Sequence, residues 1–160
     1  MPDPYNEAAV RKLCEDTYGY PPKDFQIAAA RSLYEGKDTV VLAPTGSGKS
    51  LIIALSHLPA SVNKHAMVVV ISPLKALQKE QASKDKDSLF VNEDTKTAAL
   101  LTAIKKKRYR RIFIGPEQLQ SDDVRKVLKD DQERKDLIGY IVDEAHVVVE
   151  WGKTFRPCHE

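Results

Sequence analysis

The sequence has few cysteines, no long apolar run and no excess of either charge, and each shortage narrows what it can be. Cys14 and Cys158 are the only two cysteines, far apart and without the spacing of a metal-ligand set. That argues against a disulfide framework or a zinc site, and a reducing intracellular setting is the simple expectation. No apolar stretch approaches the roughly 20 residues a membrane span needs. Met1-Pro2-Asp3-Pro4-Tyr5 lacks the basic and apolar regions of a secretory leader. Internal repeats and low-complexity linkers are absent. The 25 basic residues nearly balance the 23 acidic ones, so the net charge of +2 says little about an anionic partner. What is there is an ordinary globular composition, 42% hydrophobic and 30% charged, in a chain of 160 residues. That is enough for one domain around one core.

The hydrophobic pattern alternates between two periods. Asn6 to Thr17 reads as a helix with Asn6 as N-cap and Ala9, Val10, Leu13 and Cys14 on one face. Tyr18-Gly19-Tyr20-Pro21-Pro22 breaks it. A second helix is expected from a cap at Asp24, through Ile27, Ala28, Leu33 and Tyr34, to a stop at Gly36. Thr39 to Ala43 then reads as a fully buried strand, followed by Gly46 and Gly48 and a helix from Lys49 through Leu58. Met67 to Ile71 is a second buried strand, with a helix through Leu74, Leu77 and Gln81 after it. Ser88 to Asn92 suits a short strand, Thr95 to Lys107 a helix, and Arg111 to Ile114 a strand. Val124 to Lys135 suits a helix and Ile138 to Val142 a last strand. Strands that are apolar throughout and alternate with helices predict a doubly wound, mostly parallel α/β sheet covered on both faces. Such sheets bind ligands at the carboxyl ends of their strands, here just after Leu42, Ile71, Ile114 and Val142.

Two of those ends carry chemistry. Ala43-Pro44-Thr45-Gly46-Ser47-Gly48-Lys49-Ser50 is a phosphate loop between a strand and a helix. Backbone N–H groups around Thr45, Gly46, Ser47, Gly48 and Lys49 can wrap phosphate oxygens, and the helix N-terminus adds partial positive charge. Lys49 reaches the β- and γ-phosphates of ATP in such a loop, and the Ser50 hydroxyl ligates Mg²⁺. Asp143 and Glu144, in Asp143-Glu144-Ala145-His146, end a buried strand. Asp143 suits the metal, and Glu144 suits the water that attacks the γ-phosphate. His146 gains meaning only from standing in this motif.

These motifs resemble the RecQ family of ATP-dependent DNA helicases, in superfamily 2, from about Tyr18 to the C-terminal end. Ala43 at the first loop position and the Asp-Glu-Ala-His form of the acidic motif are typical of that superfamily. The resemblance implies a P-loop, RecA-like first motor domain over residues 18–160, preceded by an N-terminal helix over 1–17. It implies ATP and Mg²⁺ as cofactors, and 3′–5′ DNA unwinding in the complete form. It implies that Gln26 reads the adenine edge while Tyr20 and Lys23 flank the ring, although Pro21 to Phe25 shorten the usual spacing by one residue. By the same likeness Ser72, Pro73, Leu74 and Lys75 touch the phosphates of single-stranded DNA. Glu117 belongs to a further motif, though it equally suits a helix cap. Trp151, Phe155 and Arg156 resemble the aromatic-rich loop of the family, where rings stack on bases and arginine meets phosphate. Here Val147-Val148-Val149-Glu150 and Cys158-His159 depart from the family pattern, which implies altered sensing of DNA.

The basic run Lys105 to Arg111 is a solvated helix end, a nucleic-acid contact or a nuclear address. The family's next strand and its second RecA-like domain, with an arginine finger, are not among these residues. The domain is therefore expected to be truncated before its last strands, to bind nucleotide weakly, to hydrolyse it slowly and not to unwind DNA alone. Single-stranded or forked DNA is the expected partner. A non-motor nucleotide- or DNA-binding module derived from a helicase, or part of an RNA helicase, stays open as an alternative.

Overall fold

The computed structural model describes residues 5–57, 65–73, 86–92, 98–106, 108–129 and 135–146. The first helix, α1 (Glu7–Tyr18), starts where Asn6 Oδ1 accepts from the Ala9 N–H at 3.1 Å. It stops at Gly19, which takes the left-handed conformation that glycine adopts without penalty. Val10 and Cys14 are buried, whereas Ala9 and Leu13 of the expected stripe are exposed. The second helix, α2 (Asp24–Tyr34), is capped by Lys23 and not by Asp24. Gln26 Oε1 accepts from the Lys23 backbone N–H at 2.8 Å, closing the first turn from within. Gln26, Ile27, Ala29 and Ala30 are its buried residues, and Ala28 faces solvent. The third helix, α3 (Ser50–His57), follows the phosphate loop.

The sheet is built from β1 (Met67–Ile71), β2 (Ser88–Val91), β3 (Arg111–Ile114) and β4 (Leu137–Val142). All pairings are parallel, in the order β2-β3-β1-β4. Between β2 and β3 runs α4 (Ala98–Lys105), and between β3 and β4 come a 3-10 turn (Pro116–Gln120) and α5 (Asp122–Lys129). One face of the sheet presents Met67, Val69, Ile112 and Ile114 to Ile104 of α4 and to Val124, Val127 and Leu128 of α5. The other presents Val70 and Phe113 to Ile53 of α3. Val68, Val69 and Val70 are all fully buried, as an interior strand covered on both faces requires. A separate cluster joins α1, α2 and α3 through Tyr5, Val10, Cys14, Ile27, Ala30 and Leu55. Gly139 lets α2 approach β4, since a Cβ there would lie 2.7 Å from Leu33 Cδ1.

The doubly wound parallel sheet of the sequence reading is present, with one correction. Thr39 to Ala43 does not join the sheet as a buried strand; Val40 is 87% and Leu42 94% exposed. An apolar segment becomes a strand only where a neighbour offers its unpaired N–H and C=O groups. Among the described residues β4 pairs with β1 alone, and no strand between β4 and the 39–43 segment supplies that ladder. The expected helix through Leu74 to Gln81 lies outside the described residues.

Candidate nucleotide-binding site

The phosphate loop leaves the 39–44 segment in a tight turn, with the Ser47 N–H donating to Pro44 O at 3.1 Å. Gly46 and Gly48 have φ of 78° and 89°, which a side chain would strain. Lys49 Nζ folds back onto its own loop and donates to Ala43 O at 2.9 Å and to Pro44 O at 3.1 Å. Ser50 opens α3 and is exposed. The Ser47 hydroxyl is buried without a hydrogen-bond partner.

The start of α2 grips this loop from outside. Gln26 is buried, and its Nε2 donates to Gly48 O at 2.8 Å and, at the limit of 3.5 Å, to Ser47 O. Lys23 Nζ donates to Ser47 O at 3.1 Å. Both side chains expected at the adenine therefore hold loop carbonyls here. Tyr20 is half exposed, its ring 6.4 Å from that of Tyr18 at a 40° tilt.

The acidic motif lies at the carboxyl end of β4. The Asp143 N–H donates to Ile71 O at 2.9 Å, anchoring the motif to the end of β1. Asp143 Oδ1 accepts from the Glu144 N–H at 3.0 Å. Burial pushes the Asp143 carboxyl above the usual range and the Glu144 charge adds to that, against the opposing pull of the Glu144 N–H and of Lys49. Glu144 sits at φ 53°, an uncommon left-handed conformation for a residue with a side chain. His146 Nδ1 lies 3.2 Å from Glu144 Oε2.

The helix that follows Lys49 packs through Ile53 on Val70 of β1 and Ile141 of β4, the strand that ends at Asp143. Ser72 is buried at the adjoining end of β1, where its N–H donates to Ile114 O at 3.2 Å, and Pro73 is half-buried. Glu117 lies in the 3-10 turn, whose start Gly115 caps without a side chain. Leu74, Lys75, Trp151, Phe155 and Arg156 lie outside the described residues. One contribution escaped the sequence reading. Arg11 of α1 reaches the chain that leads into α2, donating to Pro22 O at 3.2 Å and to Asp24 Oδ1 at 2.8 Å. Only the Glu7–Arg11 spacing of four hinted at an ordered Arg11, and that spacing points along α1 and not across to α2.

A parallel α/β sheet with a lysine-bearing phosphate loop and an aspartate at a strand end defines the P-loop class of nucleotide-binding folds. The family model described as DEAD/DEAH box helicase matches residues 23–160, and the chain belongs to that family. It is similar to the probable ATP-dependent DNA helicase RecS of Bacillus subtilis, 32% identical over 136 residues, covering 79% of this chain and 25% of the relative. It is also similar to the RecQ-like DNA helicase blm-1 of Caenorhabditis elegans, 35% identical over 133 residues, covering 76% of this chain and 13% of the relative. The chain therefore spans only a minor part of these relatives. Among solved structures, the DUF1998 helicase MrfA bound to DNA and AMPPNP superposes with a TM-score of 0.71. At 23% identity, over 92% of this chain and 22% of that one, this likeness speaks for the fold. The family is one of ATP-dependent enzymes. Among the described residues no helix is long and apolar enough to cross a membrane.

Proposed function

We propose that this chain is the ATP-binding and nucleic-acid-binding part of the first motor domain of a RecQ-like DNA helicase. Residues 18–160 form its RecA-like unit and residues 1–17 a preceding helix. In its complete form the enzyme couples ATP hydrolysis to 3′–5′ unwinding of single-stranded or forked DNA junctions, with a second RecA-like domain closing over the nucleotide. The observation that carries this reading is a phosphate loop, with Gly46 and Gly48 at positive φ, leading into a helix that packs by Ile53 on Ile141 of the strand ending at Asp143.

On ATP binding, Lys49 exchanges the Ala43 and Pro44 carbonyls for β- and γ-phosphate oxygens. The N–H groups of Thr45 to Lys49 and the N-terminus of α3 take up the remaining phosphate charge. Gln26, Lys23 and Tyr20 serve the adenine side, and Gln26 is already fixed at the loop. Glu144 orients the attacking water, and His146 steadies the Glu144 carboxylate. The Ser50 hydroxyl and Asp143 carboxylate are hard oxygen donors of the kind Mg²⁺ takes, and the upward shift of Asp143 marks a buried charge that a cation would relieve. Bound there, Mg²⁺ would supply neutralisation of developing phosphate charge. Ser72, Pro73, Leu74 and Lys75 are proposed to contact DNA phosphates, and Trp151, Phe155 and Arg156 its bases and backbone. The basic run from Lys105 to Arg111 is the segment that would serve a nuclear address.

Titration with a fluorescent ATP analogue tests the reading. Lys49→Ala is expected to abolish measurable binding, and an unchanged dissociation constant would refute the phosphate-loop assignment. In a longer form carrying both motor domains, single-stranded DNA should stimulate ATP turnover more than RNA does. The reverse order would assign the chain to an RNA helicase.

A further inference from the structure

Arg11 lies on α1, outside every motif of the nucleotide site, yet its guanidinium is the hub that joins α1 to the entry of α2. Nε and Nη2 both donate to Glu7 Oε1, at 2.9 and 2.8 Å. Nη2 also donates to Asp24 Oδ1 at 2.8 Å, and Nη1 to Pro22 O at 3.2 Å. A second tie runs beside it, from Cys14 Sγ to Tyr20 O at 3.6 Å. The residue between the two Arg11 contacts is Lys23, which with Gln26 holds the Ser47 and Gly48 carbonyls.

We propose that Arg11 is a positioning residue for the nucleotide site: by clamping Pro22 and Asp24 it fixes the first turn of α2, and through Lys23 and Gln26 it fixes the phosphate loop. The inference rests on the nucleotide reading above for its functional consequence. The links are short and directional. Gln26 Oε1 is committed to the Lys23 N–H, so its Nε2 can reach Gly48 O only while the turn holds its place. The Asp24 side chain is 95% exposed, and an exposed ion pair adds little to global stability. The effect of Arg11 is therefore expected in the geometry of the loop more than in the stability of the fold. A lysine could supply the charge but not the fork that reaches a carbonyl and a carboxylate together.

Amide hydrogen exchange of the 160-residue chain, read without nucleotide, tests this directly. In Arg11→Met, which keeps an apolar stem, exchange across residues 43–50 should quicken about tenfold while β1 exchanges as before. Asp24→Asn should reproduce the effect with α1 left intact. Glu7→Ala, which removes only the contact within α1, should leave the loop as it is. The dissociation constant for a fluorescent ADP should rise about three- to tenfold in Arg11→Met and Asp24→Asn. Equal quickening in the loop and in β1 would reduce Arg11 to a general stabiliser and overturn the proposal. So would an unchanged loop with an unchanged dissociation constant. If the loop responds while the unmodified chain binds no nucleotide, the positioning role stands and the nucleotide reading fails.

Discussion

Gly48 is the residue on which most of the site's geometry converges. Its φ of 89° strains any side chain, and an added Cβ, 2.6 Å from Gln26 Nε2, would displace that amide from the loop. Gly48→Ala is therefore expected to cost about 1 kcal/mol or more, lowering the midpoint of thermal unfolding by about 2–4 °C and weakening nucleotide binding. A variant that melts and binds like the parent would mean the loop does not need this turn. Asp143 gives a prediction with a sign. Burial raises its carboxyl pKa, so the folded chain holds this proton more tightly than the unfolded chain does. Stability then falls as pH rises from the ordinary carboxyl range, about 4, through the raised value. Asp143→Asn removes that penalty. Without divalent cations it should melt above the parent at neutral pH, with the difference vanishing below the ordinary carboxyl range. An advantage that grew on acidification would contradict the burial account.

At the scale of elements, two apolar stretches of similar composition behave oppositely. Val68 to Val70 in β1 are buried on both faces, while Val40 and Leu42 stand in solvent. Ile112→Ala in β3 should cost about 2–5 kcal/mol, because it leaves a cavity against α5. Leu42→Ser should change stability by less than about 0.5 kcal/mol in this chain. Urea unfolding curves of the two variants make the comparison, and a large loss at Leu42 would show that the 39–43 segment is packed. β4 is itself less covered than β1, with Tyr140 and Val142 about half exposed. That is the expected condition of a strand paired on one side only.

For the whole molecule, exposed apolar groups at Val40, Leu42, Tyr140 and Val142 coexist with an unpaired β4 edge among the described residues. Exposed edges and apolar surface promote association. The 160-residue chain is expected to self-associate as its concentration rises, and Tyr140→Lys should reduce this in sedimentation experiments. A chain monomeric at all concentrations would show the edge to be protected.

The sequence by itself determined the elements that depend on local pattern. The helix start at Asn6, the buried runs at Met67 to Ile71 and Arg111 to Ile114, and the glycines of the phosphate loop could all be read from spacing and residue type. Family membership rested on the same contiguous motifs. Only the tertiary structure decided that Thr39 to Ala43 stays out of the sheet, because strand formation needs a partner edge and apolar character alone cannot provide one. It alone brought Arg11 to Pro22 and Asp24, since contacts between separate elements leave no periodic trace in the chain. It also brought Lys23 and Gln26 onto the Ser47 and Gly48 carbonyls, because a side-chain amide or ammonium bonds whichever carbonyl the fold brings within reach.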